Sequence, residues 1–137
     1  MNIDWDTLGP IFWESLWQTL QMVVATLVVG GILGLALGIA LYTTRRGGIL
    51  ENVWVYQILN VIVNFVRPIP FIIFIVAIGP LTVKVVGTTI GTGAAIFALV
   101  IAATFGISRI VEQNLVSTDP GVVEAAVALG ASPLRII

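Results

Sequence analysis

Asp119-Pro120-Gly121-Val122-Val123-Glu124-Ala125-Ala126-Val127-Ala128-Leu129-Gly130-Ala131-Ser132-Pro133 is the stretch on which the reading of this chain turns. Asp119 is placed to cap a helix with its side-chain oxygen, and Pro120 suits the first helical position, where no amide donor is needed. Gly130 falls where a left-handed residue would end that helix. Ser132-Pro133 repeats the start signal, so a second helix is expected from Pro133. On a helix from Pro120 to Leu129, three- and four-residue spacing puts Val122, Ala125, Ala126 and Leu129 on one stripe, with Glu124 beside it. The two alanines keep that stripe shallow. A short, capped, weakly charged helix of this kind has the shape to enter a groove on another protein.

The sequence before it is of another kind. Of the 137 residues, 58% are hydrophobic and 9% charged, against about 25% charged in soluble domains. This is the composition of an all-α, polytopic membrane protein, since helices satisfy their backbone groups internally in lipid. A net charge of −1 offers no electrostatic footprint for nucleic acid. Without Cys or His, disulfides, thiol chemistry, the usual zinc sites and the commonest general base are excluded. No metal, cofactor or catalytic residue is therefore expected.

No charged residue lies between Glu14 and Arg45. At about 1.5 Å per residue this exceeds a hydrocarbon core of roughly 30 Å, so a single long or tilted helix is expected, with a span at about 16–42. No basic leader precedes this apolar run, which predicts that it is retained as a span. Asp4, Trp5, Asp6, Trp13 and Trp17 suit the outer headgroup region and put the N-terminus outside. Gly30, Gly34 and Gly38 form a small-residue stripe that admits another helix closely, either at a seam between two subunits or within one. Arg45-Arg46 after the span is a positive-inside signal and makes this loop cytoplasmic.

The second apolar region, about 53–79, is interrupted by Arg67-Pro68-Ile69-Pro70. Each proline deletes a donor and disfavours helical angles in the residue before it, so the helix should break here. The region is either one broken span or two short ones. One broken span leaves no Lys/Arg outside at the N-terminus, two inside (Arg45, Arg46), one outside (Lys84) and two inside (Arg109, Arg135), an alternation that two spans destroy. The broken span is the reading adopted. Arg67, Pro68 and Pro70 then line a path or gate within the membrane, or Arg67 snorkels and bonds carbonyls freed by the prolines; both readings stay open. Gly79 to Gly91 is expected as an external loop. A third span, about 89–108, carries small residues that predict close packing, including at a dimer core. It exits at Ser108-Arg109, with Glu112, Gln113 and Asn114 continuing a polar helix.

Glu124-Ala125-Ala126, three intervening residues and Gly130 together resemble the EAA motif of ABC importer permeases. Arg67-Pro68-Ile69-Pro70-Phe71-Ile72-Ile73, Val86-Gly87-Thr88-Thr89-Ile90-Gly91 and Ser108-Arg109-Ile110-Val111-Glu112 are similar to the methionine-type members of that family. The resemblance implies a permease subunit of the bacterial plasma (inner) membrane, working as a homodimer in lipid. It implies a separate ATP-binding subunit and an extracytoplasmic substrate-binding protein as partners. Glu124, Ala125, Ala126 and Gly130 would form the coupling helix, about 119–130, that docks on the ATPase. Residues 1–137 would be the N-terminal part of the transmembrane domain. The chain has no glycine loop followed by Lys-Ser/Thr, so the expectation is a transport subunit without its own ATP site. Methionine as solute rests on the resemblance. Permeases for another amino acid or small solute, a secondary transporter and a membrane scaffold are the alternatives.

Overall fold

A computed structural model describes the chain from residue 5 to residue 132. Asp4, Arg135 and the second helix expected from Pro133 lie outside the described residues. The elements are α1 (Trp5–Ala25), a π-helical segment (Thr26–Gly30), α2 (Gly31–Thr44), α3 (Val53–Val66), α4 (Phe71–Ala77), α5 (Gly79–Val86), α6 (Thr92–Val116) and α7 (Pro120–Ala128).

The first expected span is one continuous helix with a π-helical interruption. Its membrane-compatible part, Leu8–Thr44, is 37 residues long, about 55 Å at the α-helical rise. A π segment inserts an extra residue and so turns the following helix by about 100°. The face that follows carries Gly30, Gly34 and Gly38, all buried. α2 packs along α6 on this face. A Cβ at Gly38 would lie 2.6 Å from Val111 Cβ and 2.7 Å from the Ser108 carbonyl oxygen; one at Gly34 would lie 2.7 Å from Ile107 Cβ; one at Gly30 would lie 3.0 Å from Ala103 Cβ. The two uses left open for the glycine stripe thus resolve: it seats α6 of the same chain. Gly31, one residue off the stripe, has open space where its Cβ would be.

α3 and α4 fit a membrane together, with a bend of 113° between them. The bend is made differently from what the two prolines suggest. Arg67, although it precedes Pro68, keeps helical angles (φ −57°, ψ −44°) and closes α3 by donating its amide to Val63 O. The turn comes at Pro70, which is extended (ψ 133°) and whose carbonyl accepts the amides of Ile73 and Phe74 to start α4. Pro68 sits past the last donor that α3 needs, so its missing N–H does not disturb the helix.

The region expected as an external loop from Gly79 to Gly91 contains a helix, α5. Pro80 lies in its first turn and Gly87, at φ +88°, ends it. These are the same start and stop signals that frame α7, at a place where apolar sequence hides them. Lys84 lies in the last turn of α5, and Val86 of the same turn reaches Gly93 in the first turn of α6. α6 runs 25 residues, about 37 Å, and carries straight through Arg109 and Glu112 to Val116.

The interior is small. Among the described residues the buried apolar side chains are Leu41, Tyr42, Val63, Phe74, Ala94 and Ala98, while Trp13, Trp54, Phe65, Ile72 and Val76 stand exposed. A surface this apolar around so thin a core is what lipid or further helices cover, and water does not.

Candidate functional site

The motif-bearing α7 borders a crevice with the C-terminus of α2, the loop that follows it and the C-terminus of α6. The connection from α2 to α3 is built tightly. Thr43 and Thr44 turn their hydroxyls back to Ile39 O and Ala40 O, at 2.9 and 2.6 Å. Their own carbonyls accept the amides of Leu50 and Asn52 at 3.0 Å each. Gly47 takes φ +75° and donates its amide to Glu51 Oε2. Asn52 caps α3 through Oδ1, which accepts Val55 N at 3.2 Å. Arg45 lays its guanidinium over the Tyr42 ring, 4.8 Å from the centroid, a cation–π contact. Arg46 is exposed.

α7 is defined at both ends. Asp119 Oδ1 accepts Gly121 N at 2.8 Å, and Pro120 lies in the first turn. At the other end Gly130 takes φ +77°. Its amide donates to Val127 O at 2.9 Å, and the amide of Ala131 donates to Ala126 O at 3.0 Å. That pair of bonds is a complete Schellman motif. Val123 and Ala126 are the half-buried residues of the helix, while Val122, Glu124, Ala125 and Leu129 are exposed. Of the expected stripe, therefore, Val122, Ala125 and Leu129 stand free and Ala126 is half-buried. Glu124 faces a crevice of about 240 Å³ lined also by Val123, Tyr42, Arg45, Gly48 and Val116.

Arg67, Pro68 and Pro70 lie elsewhere, at the end of α3, and all three are exposed. Arg67 borders a pocket of about 200 Å³ between the break and α6, lined by Ile69, Phe71, Phe74, Ala102 and Phe105. Its guanidinium has no hydrogen-bond or ion-pair partner among the described residues. The structure therefore keeps this group apart from the α7 group rather than joining them in one site. Among the described residues no three His, Cys, Asp or Glu side chains come together as a metal site.

A polar cluster that the sequence reading did not single out lies between α3 and α6. Arg109 Nη1 pairs with Glu112 Oε2 at 2.6 Å and donates to Asn60 Oδ1 at 3.3 Å. Tyr56 OH donates to Glu112 Oε1 at 3.4 Å. Asn64 Nδ2 donates to the same Asn60 oxygen at 2.9 Å. Glu112 is 4% exposed. Arg109 is thus more than a charge marking the end of a span; it is held inward by its own helix and by α3. The available signal was the spacing of Tyr56, Asn60 and Asn64, one helical turn apart along an otherwise apolar helix.

No protein-family model matches the chain. It is 46% identical over 97 residues to a probable D-methionine transport system permease of Vibrio cholerae, covering 71% of this chain and 43% of that protein. It is 47% identical over 97 residues to the D-methionine permease of Salmonella typhi and 44% identical to that of Escherichia coli K12, each covering 71% of this chain and 45% of the relative. A solved inward-facing structure of the MetNI methionine ABC transporter superposes with a TM-score of 0.85 at 41% identity, over 93% of this chain and 60% of that one. A second crystal form of the same transporter gives a TM-score of 0.83. The fold, with its bent α3–α4 pair and the capped helix after α6, is similar to that of a chain of the MetNI methionine ABC transporter. Among curated proteins, this chain is similar to the D-methionine permeases named above. The matched region spans less than half the length of these curated relatives.

Proposed function

We propose that this chain forms part of the permease subunit of a bacterial ABC importer for methionine, embedded in the plasma membrane. In this reading residues 1–137 are the N-terminal part of the transmembrane domain. The end bearing Arg45, Arg46 and α7 is cytoplasmic, and the N-terminus is outside. The observation that supports it most is agreement of nearly the whole described fold with a chain of the MetNI methionine ABC transporter at 41% identity. The solute follows from the relatives' names and from no residue of this chain.

α7 docks on a separate ATP-binding subunit through its exposed Val122, Ala125 and Leu129 and through Glu124. A homodimer forms the path, and an external binding protein delivers the solute. ATP hydrolysis belongs to the partner, and this subunit supplies no ATP site. A rigid contact helix needs fixed ends, and α7 has them at Asp119 and Gly130. Arg67, Pro68 and Pro70 border the path where non-helical backbone must be buried in protein or line a cavity. The exposed Arg67 guanidinium is then available to water or to a second subunit.

The testing experiment is purification of the full-length permease from detergent with its bound proteins identified by mass spectrometry, followed by uptake of labelled methionine into proteoliposomes. An ATP-binding subunit in stoichiometric amount and ATP-dependent uptake are expected. A monodisperse permease without such a partner would remove the reading. In the same system Gly130→Pro should insert normally and lose transport.

A further inference from the structure

Val63 is the one buried residue of α3, so apolar packing holds this helix weakly against its neighbours. What joins it to α6 is polar. Tyr56 meets Glu112, and one turn further along, Asn60 meets Arg109. A carboxylate as buried as Glu112 requires bonds to its oxygens. One oxygen is bonded within α6, by Arg109, and the other from α3, by Tyr56. Two contacts at consecutive turns fix both the height and the rotation of α3, because sliding by one turn, about 5.4 Å, would break both at once.

The two helices lead to different parts of the molecule. α6 passes into α7 through Ser117, Thr118 and Asp119. That link is bonded, with the Ser117 hydroxyl on Asn114 O at 2.8 Å and the Ser117 amide on Gln113 O at 3.0 Å. α3 ends at the break from Arg67 to Pro70.

We propose that Tyr56, Asn60, Arg109 and Glu112 are positioning residues that lock α3 to α6, so that displacement of α7 reaches the Arg67–Pro70 break as a rigid movement of α3. The proposal rests on the permease reading above and adds to it the route by which the docking helix moves the broken span.

The test uses the full-length permease with its ATP-binding subunit in proteoliposomes. The variant is Tyr56→Phe with Asn60→Leu, which removes the α3 side of the lock and leaves the Arg109–Glu112 pair within α6. Two readouts are taken: methionine transported per ATP hydrolysed, and the distance between spin labels at Val61 and Ile110, both on exposed positions. In the unsubstituted protein that distance should be single and unchanged by nucleotide. In the variant ATP hydrolysis should persist, transport per ATP should fall about tenfold, and the distance distribution should broaden. Transport per ATP unchanged in the variant would overturn the lock. So would a Val61–Ile110 distance that changes with nucleotide in the unsubstituted protein, which needs no lock variant to fold. Absence of any ATPase or uptake in the unsubstituted protein is a different failure and would remove the permease reading itself.

Discussion

Along α6, the side that meets α2 and the side that meets α3 are built from different chemistry. Against α2 the contact is dry and close: Gly30, Gly34 and Gly38 leave room for Ala103, Ile107 and Val111, and backbone approaches backbone. Against α3 the contact is a set of hydrogen bonds around one ion pair, and α3 itself carries a single buried apolar residue, Val63. In lipid there is no hydrophobic drive between helices, so shape and hydrogen bonding are the two means of association. Here one helix uses each on a different side. A glycine seam has no slack, because any shift drives a side chain into a backbone. A hydrogen-bonded seam has discrete states, because its bonds can be made, broken or exchanged. The first suits a fixed frame, the second a contact that sets the register of one helix on another so that the two move as a unit.

The largest expected effect breaks the dry seam. Gly38→Leu places a side chain where even a Cβ would lie 2.6 Å from Val111 Cβ. Overpacking of this kind costs about 3 kcal/mol, and the full-length protein should lose its monodisperse peak on heating well before the parent. Gly31→Ala, one position off the stripe with open space around it, is the paired control and should match or slightly exceed the parent. Equal stability of the Gly38 and Gly31 variants would mean that α2 and α6 do not meet as described.

Next comes the polar seam. Glu112→Ala leaves the partly exposed Arg109 without its carboxylate and Tyr56 without an acceptor. The expected loss is about 2 kcal/mol, below that for a fully enclosed pair because Arg109 can reach water. Thermal unfolding of the same preparation measures it. A loss larger than that of Gly38→Leu would reverse the order of the two seams and make the polar one the frame.

Gly130→Ala lies on neither seam. It forces a left-handed residue with a Cβ at φ +77°, at a cost of about 1 kcal/mol. It should loosen the end of α7 with little change in global unfolding, and proteolysis after α7 should become faster while the bundle's melting point holds.

How much of this was legible follows from how far apart the interacting residues are. α7 could be read because its signals are local: Asp119, Pro120 and Gly130 act on amides two to five residues away. The glycine stripe could be read as a close-approach face by its spacing, but not what it approaches, since α6 lies some seventy residues on. The prolines announced a break, and its angle and the retention of helical geometry at Arg67 depended on which missing donor mattered. α5 carries the same start and stop signals as α7, but it is short and sits in an apolar run, where those signals do not stand out. The cluster around Glu112 was the least legible. Its halves are 49 and 56 residues apart, and no periodicity links them. The one sequence trace was Tyr56, Asn60 and Asn64 recurring at one-turn intervals.

The smallest expected effect makes the finest distinction between the two seams. Tyr56→Phe removes one hydroxyl, whose bond to Glu112 is long at 3.4 Å. Interhelical hydrogen bonds of this type average about 0.6 kcal/mol in membrane proteins, so the melting point should barely move. The ring stays, and Arg109 still satisfies the other Glu112 oxygen. If α3 were held by packing alone, this variant would be silent in every assay. If its position is set by the bonds, the hydroxyl fixes rotation more than it adds stability. The label distance between Val61 and Ile110 should then broaden although the unfolding curve overlays the parent. A narrow, unchanged distance would return α3 to the same kind of contact as α2, and the contrast between the two sides of α6 would then be one of composition and not of what sets the position of the helix.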